Sequence, residues 1–257
     1  MMSTIQHGAD PLIFIHGMGL NKSMWDGFVP ALAAAGYEVL TYDLLGHGGE
    51  KPAVGEVNLT LFSEQLLALM DTRGLRRAHL IGFSIGGMIN RRFALDHRER
   101  VASLVIWNSP HNRGQEAQAE VEARALAVRG EGPMATIEAA LERWFVAASQ
   151  ELRQQIRDWR KVCDSRTYAG TAWTLANGVV ELTGAKQPRG IPTQVLTCEN
   201  DVGSTPAMAR DIAHDLGASA PLVIPDLKHL GLLERPEPFL QALLGFLNDR
   251  QSEIAPK

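Results

Sequence analysis

Short, dense apolar runs alternate along the chain with longer segments of helical periodicity. The first run, Leu12-Ile13-Phe14-Ile15, ends at Gly17, as a strand buried on both faces of a parallel sheet does. A helical pattern extends from about Met24 to Ala35 and stops at Gly36, the residue type that closes helices. Val39-Leu40-Thr41-Tyr42 predicts a second strand, which empties into a loop from Asp43 to Pro52; Leu61 to Met70 is helical. A strand at Ala78-His79-Leu80-Ile81, a helix from about Gly86 to Leu95 and a strand at Leu104-Val105-Ile106-Trp107 follow. Alternation at these lengths predicts βαβ units in a doubly wound sheet.

The rhythm breaks after Pro110. From about Gly114 to Ala185 the pattern is helical, clearest over Glu116 to Val128 and Met134 to Ala148, with the breaker Gly130-Glu131-Gly132-Pro133 between them. Alternation resumes at Pro192: strand Gln194 to Thr197, helix Pro206 to Leu216 closed by Gly217, strand Leu222-Val223-Ile224, and a final helix from about Glu237 to Asn248. The expected organisation is an α/β core made of residues 1–112 and 187–257, with an all-helical lid inserted at 113–186.

Composition narrows the class. With 257 residues, 45% of them hydrophobic and 21% charged, the chain can bury a large core without disulfides or a structural metal. A formal charge of −4 gives no electrostatic reason to expect nucleic acid or an anionic membrane as partner. The densest basic runs, Arg91-Arg92 and Arg73 to Arg77, are too short for a binding stripe. Cys163 and Cys198 have neither metal-ligand nor redox spacing and are read as free thiols. No apolar stretch reaches the ~18 residues of a membrane span, and Met1 to Pro11 lacks the pattern of a secretory signal. A cytoplasmic protein is expected.

The sharpest chemical signal is Gly82-Phe83-Ser84-Ile85-Gly86. A buried strand runs into it and a helix runs out, the setting in which a strained turn lifts a serine hydroxyl out of the sheet. Serine needs a base to take its proton. Of eight histidines, His229 lies after a late strand, at the carboxyl edge where ligand crevices of such sheets form. His16 and His47 also occupy strand-end loops but precede the serine. His79 falls within a strand, His97 and His214 on or beside helices, and His7 and His111 have no usable context. Asp201 closes the strand-end loop Cys198-Glu199-Asn200-Asp201 and completes the order Ser, Asp, His; Glu199 and Asp226 are the competing carboxylates. The expected oxyanion donors are the backbone N–H groups of Ile85 and of Met18, in the loop His16-Gly17-Met18-Gly19.

Together these residues resemble the α/β-hydrolase superfamily over nearly the whole chain: His16-Gly17, Asp43 to Gly48, the turn at Ser84, Asp201, and Leu230 to Pro236. Ser84 to Met88, Asn108-Ser109, Leu141 to Phe145 and the neighbourhood of Tyr168 look most like the 3-oxoadipate enol-lactonase group. Two departures stand out. His16 arrives after very little chain, so the usual N-terminal strand pair is largely absent, and the His-Gly-Met-Gly loop is commoner among general esterases.

The resemblance implies a mostly parallel α/β-hydrolase sheet with a shortened N-terminus, and ester or lactone hydrolysis through an acyl-enzyme with no metal or organic cofactor. An enol-lactone of that kind carries a free carboxylate, for which Arg143 and Lys228 are candidate cations and Trp144 a candidate pocket wall. The alternatives are a general carboxylesterase, a carbon–carbon bond hydrolase, and a ligand receptor on a hydrolase scaffold. A haloalkane dehalogenase is disfavoured, because its turn needs a carboxylate where Ser84 stands.

Overall fold

The apolar runs form one sheet. In the computed structural model, which describes residues 10–183 and 187–254, six strands lie in the order β2-β1-β3-β4-β5-β6. They are β1 Leu12–Ile15, β2 Val39–Tyr42, β3 Ala78–Phe83, β4 Val101–Trp107, β5 Thr193–Cys198 and β6 Leu222–Ile224. Every pairing among them is parallel, so all carboxyl ends open on one edge. Around the sheet lie α1 Val29–Ala34, α2 Leu59–Thr72, α3 Ile85–Asp96, α9 Pro206–Leu216, α10 Gly231–Glu234 and α11 Pro236–Ile254.

Because successive strand residues point to opposite faces, each strand feeds two layers. Leu12, Phe14, Ile81, Phe83, Val105 and Trp107 pack with Trp25, Phe28 and the α11 residues Phe239 and Leu243. Ile13, Ile15, Leu80 and Leu104 pack on the other side with Phe62 and Leu66 of α2 and Met88 and Phe93 of α3. No position of β1 or β4 is exposed.

Between β4 and β5 the chain is helical: α4 Gln115–Glu131, α5 Ile137–Trp144, α6 Gln150–Lys161, α7 Ser165–Asn177 and α8 Val179–Thr183. No strand occurs there among the described residues. Residues 184–186 lie outside them, as do His7 and the N-terminal stretch to residue 9 on which the shortened N-terminus was read.

Several boundaries differ from the sequence pattern. The helix expected over Met24 to Ala35 splits into a 3-10 turn, Lys22–Trp25, and α1, with Pro30 in the first turn of α1; proline lacks the N–H a continuous helix would need. α4 ends within the Gly130-Glu131-Gly132-Pro133 breaker: it runs through Gly130 to Glu131 and is capped by Gly132, where φ is 89°. The Met134 to Ala148 segment is a 3-10 turn, Pro133–Thr136, followed by α5, after which Phe145 is extended. No described helix is long and apolar enough to cross a membrane.

Candidate active site

Five strand ends contribute to one place. β3 runs straight into Ser84, whose N–H donates to the Trp107 carbonyl at 2.9 Å, and α3 starts at the next residue. Ser84 holds φ 56° and ψ −117°, a strained conformation that costs about 1–3 kcal/mol. The flanking glycines are required by close approach. A Cβ on Gly82 would lie 2.2 Å from the Gly86 carbonyl oxygen, and one on Gly86 2.3 Å from that of Ile15. α3 is therefore pressed onto the sheet edge with its first turn beside the serine, and Ile85 N–H has no partner within the helix.

The loops after β5 and β6 bring the other two nominated residues together. Asp201 is 2% exposed, and its carboxylate accepts four hydrogen bonds. Oδ2 takes His229 Nδ1 at 2.7 Å and Asn108 Nδ2 at 2.9 Å; Oδ1 takes the N–H groups of Gly203 and Ser204, each at 2.9 Å. Burial pushes the Asp201 carboxyl up, but the His229 ring and these donors outweigh it and hold it below the usual carboxylate range. With Nδ1–H committed to an ionised Asp201, the His229 Nε2 is the free basic nitrogen. The imidazole packs beside Phe83 and Trp144, with ring centroids 4.9 and 6.0 Å away.

The loop after β1 is fixed by a different histidine. His16 Nε2 accepts the Leu44 N–H at 2.9 Å, while Nδ1 bonds the Gly17 carbonyl at 2.8 Å. Burial, then the neighbouring His47, bring the His16 pKa down to about 3, and burial takes His47 to about 4. Both rings are neutral struts behind the site. They hold the loop that carries Met18 against the end of β2.

Ser84, His229, Asp201 and Met18 all line one cavity of about 120 Å3. Its opposite wall comes from the helical insertion: Arg113, Val121, Arg124, Ala125, Val128, Ala140, Arg143, Trp144 and Arg160.

With this geometry in view, relatives can be compared. The model of the α/β hydrolase fold family matches residues 10–128. The solved structure of the enol-lactonase from Burkholderia xenovorans LB400 superposes with a TM-score of 0.82 at 28% identity, covering 95% of this chain and 93% of that one. The chain has the α/β-hydrolase fold. This hydrolase is also 25% identical over 244 residues to an (E)-2-((N-methylformamido)methylene)succinate hydrolase of Acinetobacter baylyi, spanning 94% of this chain and 92% of that protein. It is 28% identical over 250 residues to a putative non-heme bromoperoxidase, BpoC, of Mycobacterium tuberculosis, covering 92% and 93%. The frame is shared while the named reactions differ, so similarity assigns the hydrolase class and not the substrate.

Within the hydrolase, the sequence-nominated residues separate. Ser84, Asp201, His229, Met18, Arg143 and Trp144 line the cavity; Ile85 lies directly behind Ser84 and is fully buried. Lys228 is a correction. It is not part of the cavity wall, and its Nζ donates to the Glu142 carbonyl at 3.0 Å. It ties the His229 loop to α5 instead of facing a ligand. Leu230 N–H to Trp144 O at 2.9 Å and the Glu234 carboxylate, accepting from Val146 and Ala147 N–H at 3.1 and 2.7 Å, complete that joint.

Two features escaped sequence reading. Asn108, at φ 46°, orients Asp201, a role set by tertiary placement. Arg160 is 1% exposed, and its guanidinium lies over the Trp144 and Tyr168 rings, 5.0 and 5.5 Å from their centroids. Its position was the available signal. Leu152, Ile156 and Trp159 mark the buried stripe of α6, and residue 160, four after Ile156, continues it. Among the described residues no group of three or more His, Cys, Asp or Glu is placed to hold a metal ion.

Proposed function

We propose that this hydrolase cleaves a small ester or lactone through an acyl-enzyme on Ser84. The observation that carries the reading is the 2.7 Å bond from His229 to Asp201, made in the cavity that Ser84 also lines.

His229 Nε2 takes the Ser84 proton as Oγ bonds to the substrate carbonyl carbon. The N–H groups of Met18 and Ile85 receive the oxyanion, each such donor contributing on the order of 10²–10³ in turnover. The bond to the leaving oxygen then breaks, and His229 returns the proton to it. In a lactone that oxygen stays tethered to the acyl group. Water, deprotonated by His229, releases the acid and restores Ser84. Residues 113–186 act as a lid, with Trp144 walling the acyl pocket beside the base and Arg143 offering a cation. The likeness to the Burkholderia enol-lactonase supports an enol-lactone as the narrower substrate, with a simple carboxylic ester as the alternative.

The test is hydrolysis of 3-oxoadipate enol-lactone and of 4-nitrophenyl butyrate by the wild type and by Ser84→Ala. Turnover that falls at least ~10⁴-fold in the variant, at unchanged melting temperature, supports the serine mechanism. Butyrate cleavage without lactone opening removes the lactonase reading and keeps the esterase. Equal rates in both proteins on both substrates would overturn serine catalysis.

A further inference from the structure

Arg160 is unusual even for a buried arginine. Among the described residues its Nε is buried with no hydrogen-bond partner, and its one side-chain bond is a long 3.4 Å contact from Nη1 to Thr136 Oγ1. The Trp144 and Tyr168 rings lie against the guanidinium, and neither ring offers it a counter-charge. An isolated buried charge costs several kcal/mol unless a counter-charge with matched hydrogen bonds reaches it.

Arg160 is also not alone. Arg113, Arg124 and Arg143 line the same cavity. Arg113 donates to the carbonyls of Ala176 and Leu175 at 3.2 and 3.3 Å, and Arg143 donates to Ala139 O at 2.9 Å. Only Arg124 reaches a carboxylate, that of Glu120 at 3.5 Å. Among the described residues, then, Arg113, Arg143 and Arg160 form no ion pair, and the acid that lines the cavity, Asp201, already accepts four hydrogen bonds. The guanidiniums feel one another. Burial and then Arg124 lower Arg113 to about 10, and burial, Arg124 and Arg160 lower Arg143.

We propose that the insertion side of the cavity is a cradle for a doubly anionic group. The substrate would be an ester or lactone whose acyl part carries either two carboxylates or one phosphate-like dianion. A single carboxylate occupies one guanidinium fork and would leave two of the three unpaired cations without a counter-charge. The proposal rests on the ester-hydrolase reading for its chemistry, and on the arginine geometry for its charge.

The experiment measures kcat/KM for four 4-nitrophenyl esters: butyrate, the glutarate monoester (one charge), the tricarballylate monoester (two carboxylates) and 4-phosphonobutyrate (one dianionic phosphonate). One or both dianionic esters should exceed butyrate by at least ~100-fold, the scale of a buried charge pair, and should exceed the glutarate monoester. Which dianion leads identifies the anion. Arg160→Gln should collapse the ratio of dianionic to neutral ester, and Arg160→Lys should restore part of it. If Arg160→Gln does not fold, Arg113→Gln reads the same ratio from another part of the wall. Butyrate or the glutarate monoester ranking first overturns the cradle, as does a ratio that survives both glutamine variants. Should the wild type cleave none of the four esters, the esterase reading fails separately. Calorimetric binding of tricarballylate or 4-phosphonobutyrate to the wild type then decides the cradle: tighter binding than butyrate supports it, equal or weaker binding overturns it.

Discussion

On the sheet side of the cavity the orienting groups are paired: both Asp201 oxygens accept two donors each, and His16 is bonded at both nitrogens. On the insertion side, among the described residues, Arg113 and Arg143 bond only backbone carbonyls, and Arg160 keeps a buried, unpartnered Nε. A paired network has one arrangement and resists change. An unsaturated wall of cations fits a surface whose remaining partner arrives from outside. The sheet edge thus supplies fixed geometry, and the insertion supplies affinity that depends on what enters.

That contrast can be broken most sharply at Asp201. Replacing it by Asn sets an amide NH2 among four donors and removes the charge that orients the imidazole. Ester turnover should fall by about 10⁴-fold, read as kcat, while any preference for charged esters remains.

A smaller change tests how tightly the paired side is built. Asn108→Leu deletes one of the four donors to Asp201 and should cost about 1–3 kcal/mol of stability at pH 7. The sign with pH follows from the depressed Asp201 carboxyl. Its stabilisation is present above the unfolded value near ~4 and disappears as pH falls through the lower folded value. The wild-type advantage in melting temperature should therefore narrow in acid; an equal gap at pH 7 and in strong acid would show that Asn108 acts by packing alone.

The smallest effect is expected at Lys228. Its ammonium is outside the wall, so Lys228→Ala should change stability by no more than ~0.5 kcal/mol and leave the ester charge ratio where it was. A large loss of that ratio would place Lys228 with the ligand-facing cations.

Sequence and structure part company along the same division. Ser84 is legible because its signal is local: a buried strand, two glycines that must admit another backbone, and a helix. The parallel sheet is legible because its central strands β1, β3 and β4 are buried on both faces and so read as unbroken apolar runs. Strand-end loops pointed to Asp201 and His229, which do meet. Lys228 misled because adjacency to His229 in the chain is not adjacency in space; the two side chains leave the loop in different directions, one to Asp201 and one to Glu142 O. Arg160 stayed hidden because an arginine on an amphipathic helix reads as solvated, and only the packing of α5, α6 and α7 encloses it.

The joint between the His229 loop and α5, made by Lys228, Leu230 and Glu234, bears on how such a molecule can be diversified. Specificity could be transplanted between relatives only as a two-piece unit, the insertion together with the ten or so residues that follow β6. An insertion exchanged alone would arrive without its moorings and would drag on the loop that carries His229. Drift in substrate choice is in this way coupled to the machinery it serves, and recombination within this architecture should favour breakpoints that keep both pieces from one parent.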